Sequence, residues 1–541
     1  MKANSLLKSL YFIATITFSI NVFANNPEEK ILLENDALKV EFDKKTGTLV
    51  YMEYKKQGRI IQKRQQLAQS FKMWVPTTDR SDNSILGKEH SLSRYNLKGN
   101  KLIFEWENLN STTVRNLNIK FTGIVELKKE GLVFTGSLEN KSNLTVEAIF
   151  WPYFGDLYLP DKENETNWMN FRYAGGLEKT PIYPTFKNIP GYHGVDYPIQ
   201  IHNVQYSHFG LIQSNDQGIY VGYHDTTDRI NLNFTFELKP GFEYCLDSWM
   251  RFGKVAKEDT IDGKLSHYEF YCTHFPYTNT NETTELDPIV FNPYQGDWHS
   301  GADFYKKWRT TWSNTLPLPE WASDVHAWMQ IQINSAEDRP MFPYNRLTDY
   351  CKECLEYKVK AIQLTGWTNG GQDRGIPSHD TDPLLGTYDD LKNAISACEK
   401  MGVKIILFNK YTWADQSQDW FKNELINSSI KDQYGNYRVY PGYQYVTPMQ
   451  LSDINTRRLI PMCPLSDAWR KIAVKEFNKS IELGASGMLY DENQHHGGAM
   501  YCFDKNHGHH VPASIYPGDK LLQDDFTKVK QQKKPDYLFC G

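Results

Sequence analysis

Cysteine is scarce in this 541-residue chain, eight residues in all, so the fold cannot rest on a dense disulfide scaffold. Positive charge is not in excess either. The 60 Lys and Arg face 65 Asp and Glu, a net charge of -5, which argues against a general nucleic-acid binder, a role that needs a basic surface to displace counterions from phosphate. Small clusters such as Lys128 and Lys129 read as solvated faces. Beyond residue 24 no stretch reaches the roughly 18 apolar residues of a membrane span. What is present is aromatic: 14% of the chain is Phe, Trp or Tyr and only 23% is charged, which excludes disordered, collagen-like and coiled-coil proteins. The length suits about three to four domain equivalents.

Residues 1–24 have the pattern of an export signal. Lys2 and Lys8 precede the largely apolar run from Leu10 to Phe23, and small Ala24 follows Val22 as a cleavage site. This predicts a mature protein starting at Asn25, secreted or periplasmic, with no Cys after Ala24 to take a lipid. An oxidising compartment permits isolated bridges, for example between Cys463 and Cys502.

From about Ile31 to Phe291 the apolar pattern has period 2. Leu38, Val40 and Phe42 alternate with polar residues before the turn at Lys45, Thr46 and Gly47, and Leu232, Phe234, Phe236 and Leu238 do the same. Many short strands with little helical periodicity predict packed antiparallel sheets, a large β-sandwich over 25–296. Phe304, Trp308 and Trp312 then recur every four residues, an amphipathic helix in a 297–320 connector that carries Pro317 and Pro319. Over 321–541 apolar runs alternate with helices: Val325 to Ile333, Val359 to Leu364, Val403 to Phe408, Gly487 to Tyr490 and Tyr537 to Phe539. One helix is capped by Thr387 with Asp390 completing a capping box, carries Leu391, Ile395 and Cys398 as its apolar stripe, and ends at Gly402. Another is capped at Ser466, carries Trp469, Ala473, Phe477 and Ile481, and ends at Gly484. This alternation predicts parallel strands with crossover helices. Asn334-Ser335-Ala336 stands where a nucleotide-binding fold would show a Gly-rich phosphate turn, which favours a (β/α) barrel with its site at the carboxyl ends of the strands.

The candidate chemistry collects at those ends. Met488 to Tyr490 deliver Asp491 and Glu492 in the segment MLYDENQHHGG; a carboxylate fixed there suits nucleophilic or acid/base work on a glycosidic bond, or helix capping. Strand alternation predicts that Glu492 turns the other way. The loop after the second strand holds Trp367, Asp373, Arg374, His379, Asp380 and Asp382. A Trp platform with short acids can make a sugar subsite, and the same acids are ordinary turn formers. Trp328 in the first run and Trp413 after the third offer further platforms. Lys410, at the third strand end, can hold a hydroxyl, set a carboxylate pKa or form a salt bridge. His495, His496, His507, His509 and His510 crowd one 16-residue span; their spacing matches no zinc motif, so His495 and His509 are assigned to substrate contact and no metal or cofactor is expected. Cys351 and Cys354, three apart on a helix, read as packing residues.

The opening NDALKVEFDKKTGTL, the helix GADFYKKWRTTW and the barrel segments LTGW, GTYDDLKNAISACEKMGVKIILFN, MCP and GMLYDENQ together resemble the bacterial glycoside-hydrolase-like proteins that carry the domain of unknown function 6259. These are similar to retaining α-galactosidase-like enzymes. The resemblance implies a multidomain β plus α/β fold, a galactose-mutarotase-like β-supersandwich followed by a (β/α)8 TIM barrel. It implies an oligo- or polysaccharide substrate and Asp491 as nucleophile. It also places an acid/base Asp near the end of a sixth strand. PDYLFCG, residues 535–541, reads as a fifth strand, and Trp321 to Gly541 supply 221 residues where about 250 are typical. The expectation is therefore an incomplete barrel whose acid/base partner is missing, inefficient alone because retention needs two carboxyls about 5–5.5 Å apart. Alternatives are a non-catalytic carbohydrate-binding protein, in which Trp and Tyr platforms face a glycan, and a polysaccharide lyase using Tyr192 and His193 of the sandwich.

Overall fold

A computed structural model describes residues 30–541 except 63–68, 156, 158–164, 172–175, 184–188, 191–195, 198, 206, 241–265, 314–316, 336–339, 441–451, 453–457 and 493–499. Tyr192, His193, His495 and His496 lie outside the described residues.

The period-2 runs are strands, and their apolar residues face inward. Along Leu117–Leu127 every second residue is buried, from Leu117 to Leu127 itself, and Leu132–Asn140 repeats the alternation. Leu38, Val40 and Phe42 are buried in the strand Leu38–Asp43. These strands build a nine-stranded and a six-stranded antiparallel sheet. Lys30–Glu34, Leu38–Asp43, Leu49–Tyr54 and Arg59–Gln62 form a third, four-stranded sheet. One apolar cluster draws on all three, so the first strands extend the sandwich core. Trp106 is at its centre, stacked on Phe121 at 5.3 Å and edge-on to Trp151 at 6.2 Å. Burying one such aromatic fully is worth about 1.5–3 kcal/mol. The turn at Gly47 has φ +71°, and a Cβ there would meet the Trp106 ring at 2.6 Å, so this position requires glycine for two reasons.

The helix Trp298–Arg309 is capped by Asp297, whose carboxylate accepts from the His299 amide at 3.1 Å. It lies on the outer face of the nine-stranded sheet: Tyr305 stacks on Phe209 at 4.9 Å and Trp308 on His224 at 4.3 Å. Trp312 falls beyond its end but keeps contact with Trp308.

All five apolar runs of the second half are parallel strands: Trp328–Gln332, Ala361–Thr365, Lys404–Asn409, Gly487–Tyr490 and Leu538–Cys540. They pair in chain order without reversal, as in a barrel; a doubly wound sheet would reverse at a switch point. The second strand, Ala361–Thr365, is buried throughout, whereas the outer strands Trp328–Gln332 and Leu538–Cys540 are partly exposed. The helix Tyr388–Lys400 has the expected capping box, with Thr387 accepting from the Asp390 amide at 3.1 Å and Asp390 from the Thr387 amide at 2.8 Å. Ser466 occupies the cap position of Asp467–Glu482, but its side chain makes no capping bond. Cys351 and Cys354 are buried in the barrel core on the helix Leu347–Glu356. An antiparallel pair, Trp413–Asp415 with Leu459–Pro461, is inserted between the third and fourth strands.

Candidate active site

The carboxyl ends of the third and fourth strands lie side by side, with Asn409 opposite Tyr490, and the ladder continues one step as the Asp491 amide donates to the Asn409 carbonyl at 3.0 Å. The residues just past these ends, Lys410 and Asp491, are therefore fixed by sheet geometry. Lys410 Nζ is 2.9 Å from Asp373 Oδ1, 3.0 Å from Asp491 Oδ2 and 2.9 Å from Glu492 Oε2. Spokes of that length put the three carboxylate oxygens at most about 6 Å from one another. The cluster has two levels. Lys410 and Asp373 are enclosed, each with a 3% exposed side chain, while Asp491 at 31% and Glu492 at 23% face the opening.

Glu492 does not turn away from Asp491. The strand has ended at Tyr490, and Glu492 has φ +52°, so the chain bends back and brings its carboxylate round to the same ammonium. Its carbonyl also accepts from the Thr412 hydroxyl. Asp373 likewise has φ +62°. Two non-glycine residues of one cluster in the left-handed region are local strain, a feature that gathers at functional sites.

Burial alone would lower the Lys410 pKa, but Asp373, Asp491 and Glu492 outweigh it and hold the ammonium above its usual range. Burial raises the Asp491 carboxyl above the usual Asp value; Lys410 opposes this and Glu492 adds to it. With one ammonium among three carboxylates, the mouth has a formal charge of -2 when all are ionised.

His379 supports Lys410 from behind, a role not legible from its place in the loop. Its Nε2 accepts from the Lys410 amide at 3.3 Å, its Nδ1 donates to the Pro377 carbonyl at 2.7 Å, and its own amide donates to Glu476 at 2.8 Å. Burial lowers its pKa to about 3, so the ring is neutral and fixed in the tautomer that these bonds require.

The other residues singled out in the sequence are elsewhere. Trp367 is fully buried and donates to the Phe408 carbonyl at 2.8 Å, so it packs the strand ends and presents no free face. Gly366, at φ +73°, turns it inward. Asp382 is buried too, accepting from Asn334 at 2.7 Å, the Leu384 amide at 2.9 Å and the Gly370 amide at 3.2 Å; it organises the loop. Asp380 pairs with Lys479 at 2.6 Å on the helix side. Trp413 is buried against Tyr440. Trp328 starts the first strand and is therefore at the opposite end from the cluster, beside a cleft of about 390 Å³ shared with Trp321 and Phe539. His509 approaches Cys463, away from Lys410.

Residues 287–541 match the family described as Domain of unknown function (DUF6259). No curated protein matches the chain in sequence. Among solved structures, the chain is similar to the α-N-acetylgalactosaminidase NagBb from Bifidobacterium bifidum in its GalNAc complex, at 10% identity and a TM-score of 0.61, covering 94% of this chain and 76% of that one. The ligand-free form of that protein matches at 9% identity and a TM-score of 0.60, with 94% and 77% covered. The GH36 α-galactosidase AgaB from Geobacillus stearothermophilus matches at 9% identity over 95% and 71% with a TM-score of 0.49, too weak to carry an argument. The NagBb likeness establishes a shared fold, which the antiparallel sheets and the parallel-stranded half build together. The Lys410 cluster is within the matched residues 287–541, at the face where barrels hold their sites.

Proposed function

We propose that this chain is a glycoside-hydrolase-like protein acting on a glycan, with Asp491 as the nucleophile. The observation that supports it most is the partly exposed Asp491 carboxylate at a barrel strand end, backed by the enclosed Lys410. Burial makes the carboxylate less solvated and more reactive, and the ammonium opposes the rise of its pKa. In the proposed step one Asp491 oxygen bonds to the anomeric carbon as the bond to the leaving group breaks; the leaving group departs with the electron pair, and water later hydrolyses the glycosyl ester. Glu492 is proposed to receive a substrate hydroxyl, and Asp373 to position Lys410. The acid/base carboxyl is proposed to lie outside this cluster, because all three carboxylates here are engaged with Lys410 Nζ.

Substrates with good leaving groups need no general acid, so they test the nucleophile alone. The name of NagBb and the resemblance of the sequence to α-galactosidase-like enzymes direct the choice of sugar. The protein is expected to release fluoride from α-galactosyl fluoride or α-N-acetylgalactosaminyl fluoride well above the spontaneous rate, and to act poorly on the methyl glycosides. Retention of a glycan on an affinity gel with no fluoride release would contradict hydrolysis and favour the carbohydrate-binding alternative.

A further inference from the structure

Away from the Lys410 cluster, four side chains from two separate segments converge on one point. Cys463 follows the short strand Leu459–Pro461; Cys502 ends the strand Tyr501–Cys502; His507 and His509 come just after it. One ligand-type atom from each lies within 4.8 Å of all the others, and all but His509 are buried. Cys502 Sγ is 3.3 Å from His507 Nδ1, and Cys463 Sγ is 3.6 Å from His509 Nε2. Zinc bonds of about 2.3 Å to sulfur and 2.0–2.1 Å to nitrogen, at tetrahedral angles, put sulfur and nitrogen about 3.6 Å apart, so these edges are those of a zinc tetrahedron.

The outer ring nitrogens supply an independent observation. His507 Nε2 is 2.9 Å from the Asn427 carbonyl, and His509 Nδ1 is 2.6 Å from the His510 carbonyl. A carbonyl can only accept, so each outer nitrogen carries the proton, and in the neutral ring each inner nitrogen then presents a lone pair towards the sulfurs. Carbonyl-oriented imidazoles of this kind are the usual support of metal-binding histidines.

We propose that Cys463, Cys502, His507 and His509 bind one zinc ion. Four protein ligands leave no open position, so the site is structural. It ties the segment Met500–Ser514, which leaves the active-site loop that begins at Asp491, to the insert after the third strand. That segment also docks on the sandwich: Tyr501 donates to the Phe275 carbonyl at 3.0 Å, Asn279 to the Val511 carbonyl at 3.0 Å, and His510 pairs with Glu282 at 2.9 Å. The metal thus ties Met500–Ser514, which follows the candidate nucleophile in sequence and docks on the sandwich, to the insert after the third strand. Spacing alone set a metal aside because the ligands combine a lone Cys463 with Cys502 and an H-x-H pair more than 35 residues later, a pattern that no standard motif has.

The test uses the full chain, purified with its thiols reduced, equilibrated with zinc sulfate and desalted. Elemental analysis is expected to find about one zinc per chain, falling to about a tenth or less in Cys502→Ser and unchanged in Cys351→Ser, whose buried thiol is outside the cluster. The cobalt-substituted wild type is expected to show thiolate-to-cobalt charge-transfer absorption, which decides the matter even where Cys502→Ser fails to fold. Negligible zinc in the wild type, full zinc in folded Cys502→Ser, no thiolate band with cobalt, or a Cys463–Cys502 disulfide in the protein isolated from its own compartment would each overturn the proposal.

Discussion

Asp491→Asn is expected to lower the release of fluoride from activated glycosyl fluorides by about 10³-fold or more while the folded protein becomes no less stable. The substitution keeps the shape of the side chain and its place at the strand end, and it removes only the oxygen charge that attacks. The stability half of the prediction follows from the direction of the Asp491 shift. Its carboxyl is raised by burial, so the folded state holds the proton more tightly than the unfolded chain, whose Asp titrates at about 3.9. Stability contributed by the neutral acid is complete below that value and is lost as pH rises through the folded pKa. Ionising Asp491 in the folded protein is therefore a net cost, which Asn does not carry. Thermal unfolding should show Asp491→Asn equal to or above the wild type at pH 7, the difference closing below about pH 4. A variant that loses activity and unfolds early would indicate a structural acid.

Lys410→Met is expected to behave in the opposite way, with a loss of about 3–5 kcal/mol at pH 7 measured by urea unfolding. Removing the ammonium takes away the cation shared by buried Asp373 and half-buried Asp491 and Glu492, and the cost is that of deleting one side of a buried ion pair. The pH dependence has two limits. Lys410 is held above its usual range, so its contribution is present below the unfolded value of about 10.4 and is lost only as pH rises through the higher folded pKa. Towards acid the loss shrinks as Asp491, held above the usual Asp value, takes up its proton. Adding Asp373→Asn to Lys410→Met should recover about 1–3 kcal/mol, as coupled neighbours do, whereas two independent sites would add. Additive losses would contradict the shared cluster.

Asp491 and Lys410 were legible because each immediately follows an apolar run, and a strand end fixes what comes next. Their meeting with Asp373 was not, since it depends on where a loop of some fifteen residues returns, and Asp373 looked no different from Asp380 or Asp382 beside it. Glu492 was misread because alternation holds only while the strand lasts, and the chain leaves the strand at Tyr490. Trp367 and Trp413 were read as platforms from residue type, but both are spent on packing, which local sequence does not distinguish from display. The fold was more readable than the site: periods of 2 and 3.6 report which face is buried, and all five parallel strands and the Thr387 capping box are where those periods placed them. The four-stranded sheet at residues 30–62 was absorbed into a two-sheet reading because its strands carry the same alternation.

The central claim is that Asp491 forms a bond to the anomeric carbon, and trapping tests it directly. A 5-fluoro-α-galactosyl fluoride, whose activated leaving group lets the ester form and whose ring fluorine slows its hydrolysis, should leave one sugar on the tryptic peptide Ser480–Lys505, and fragmentation should place it on Asp491. Mass analysis that places the adduct on Glu492 or Asp373, or that finds fluoride released with no ester formed, would contradict the account.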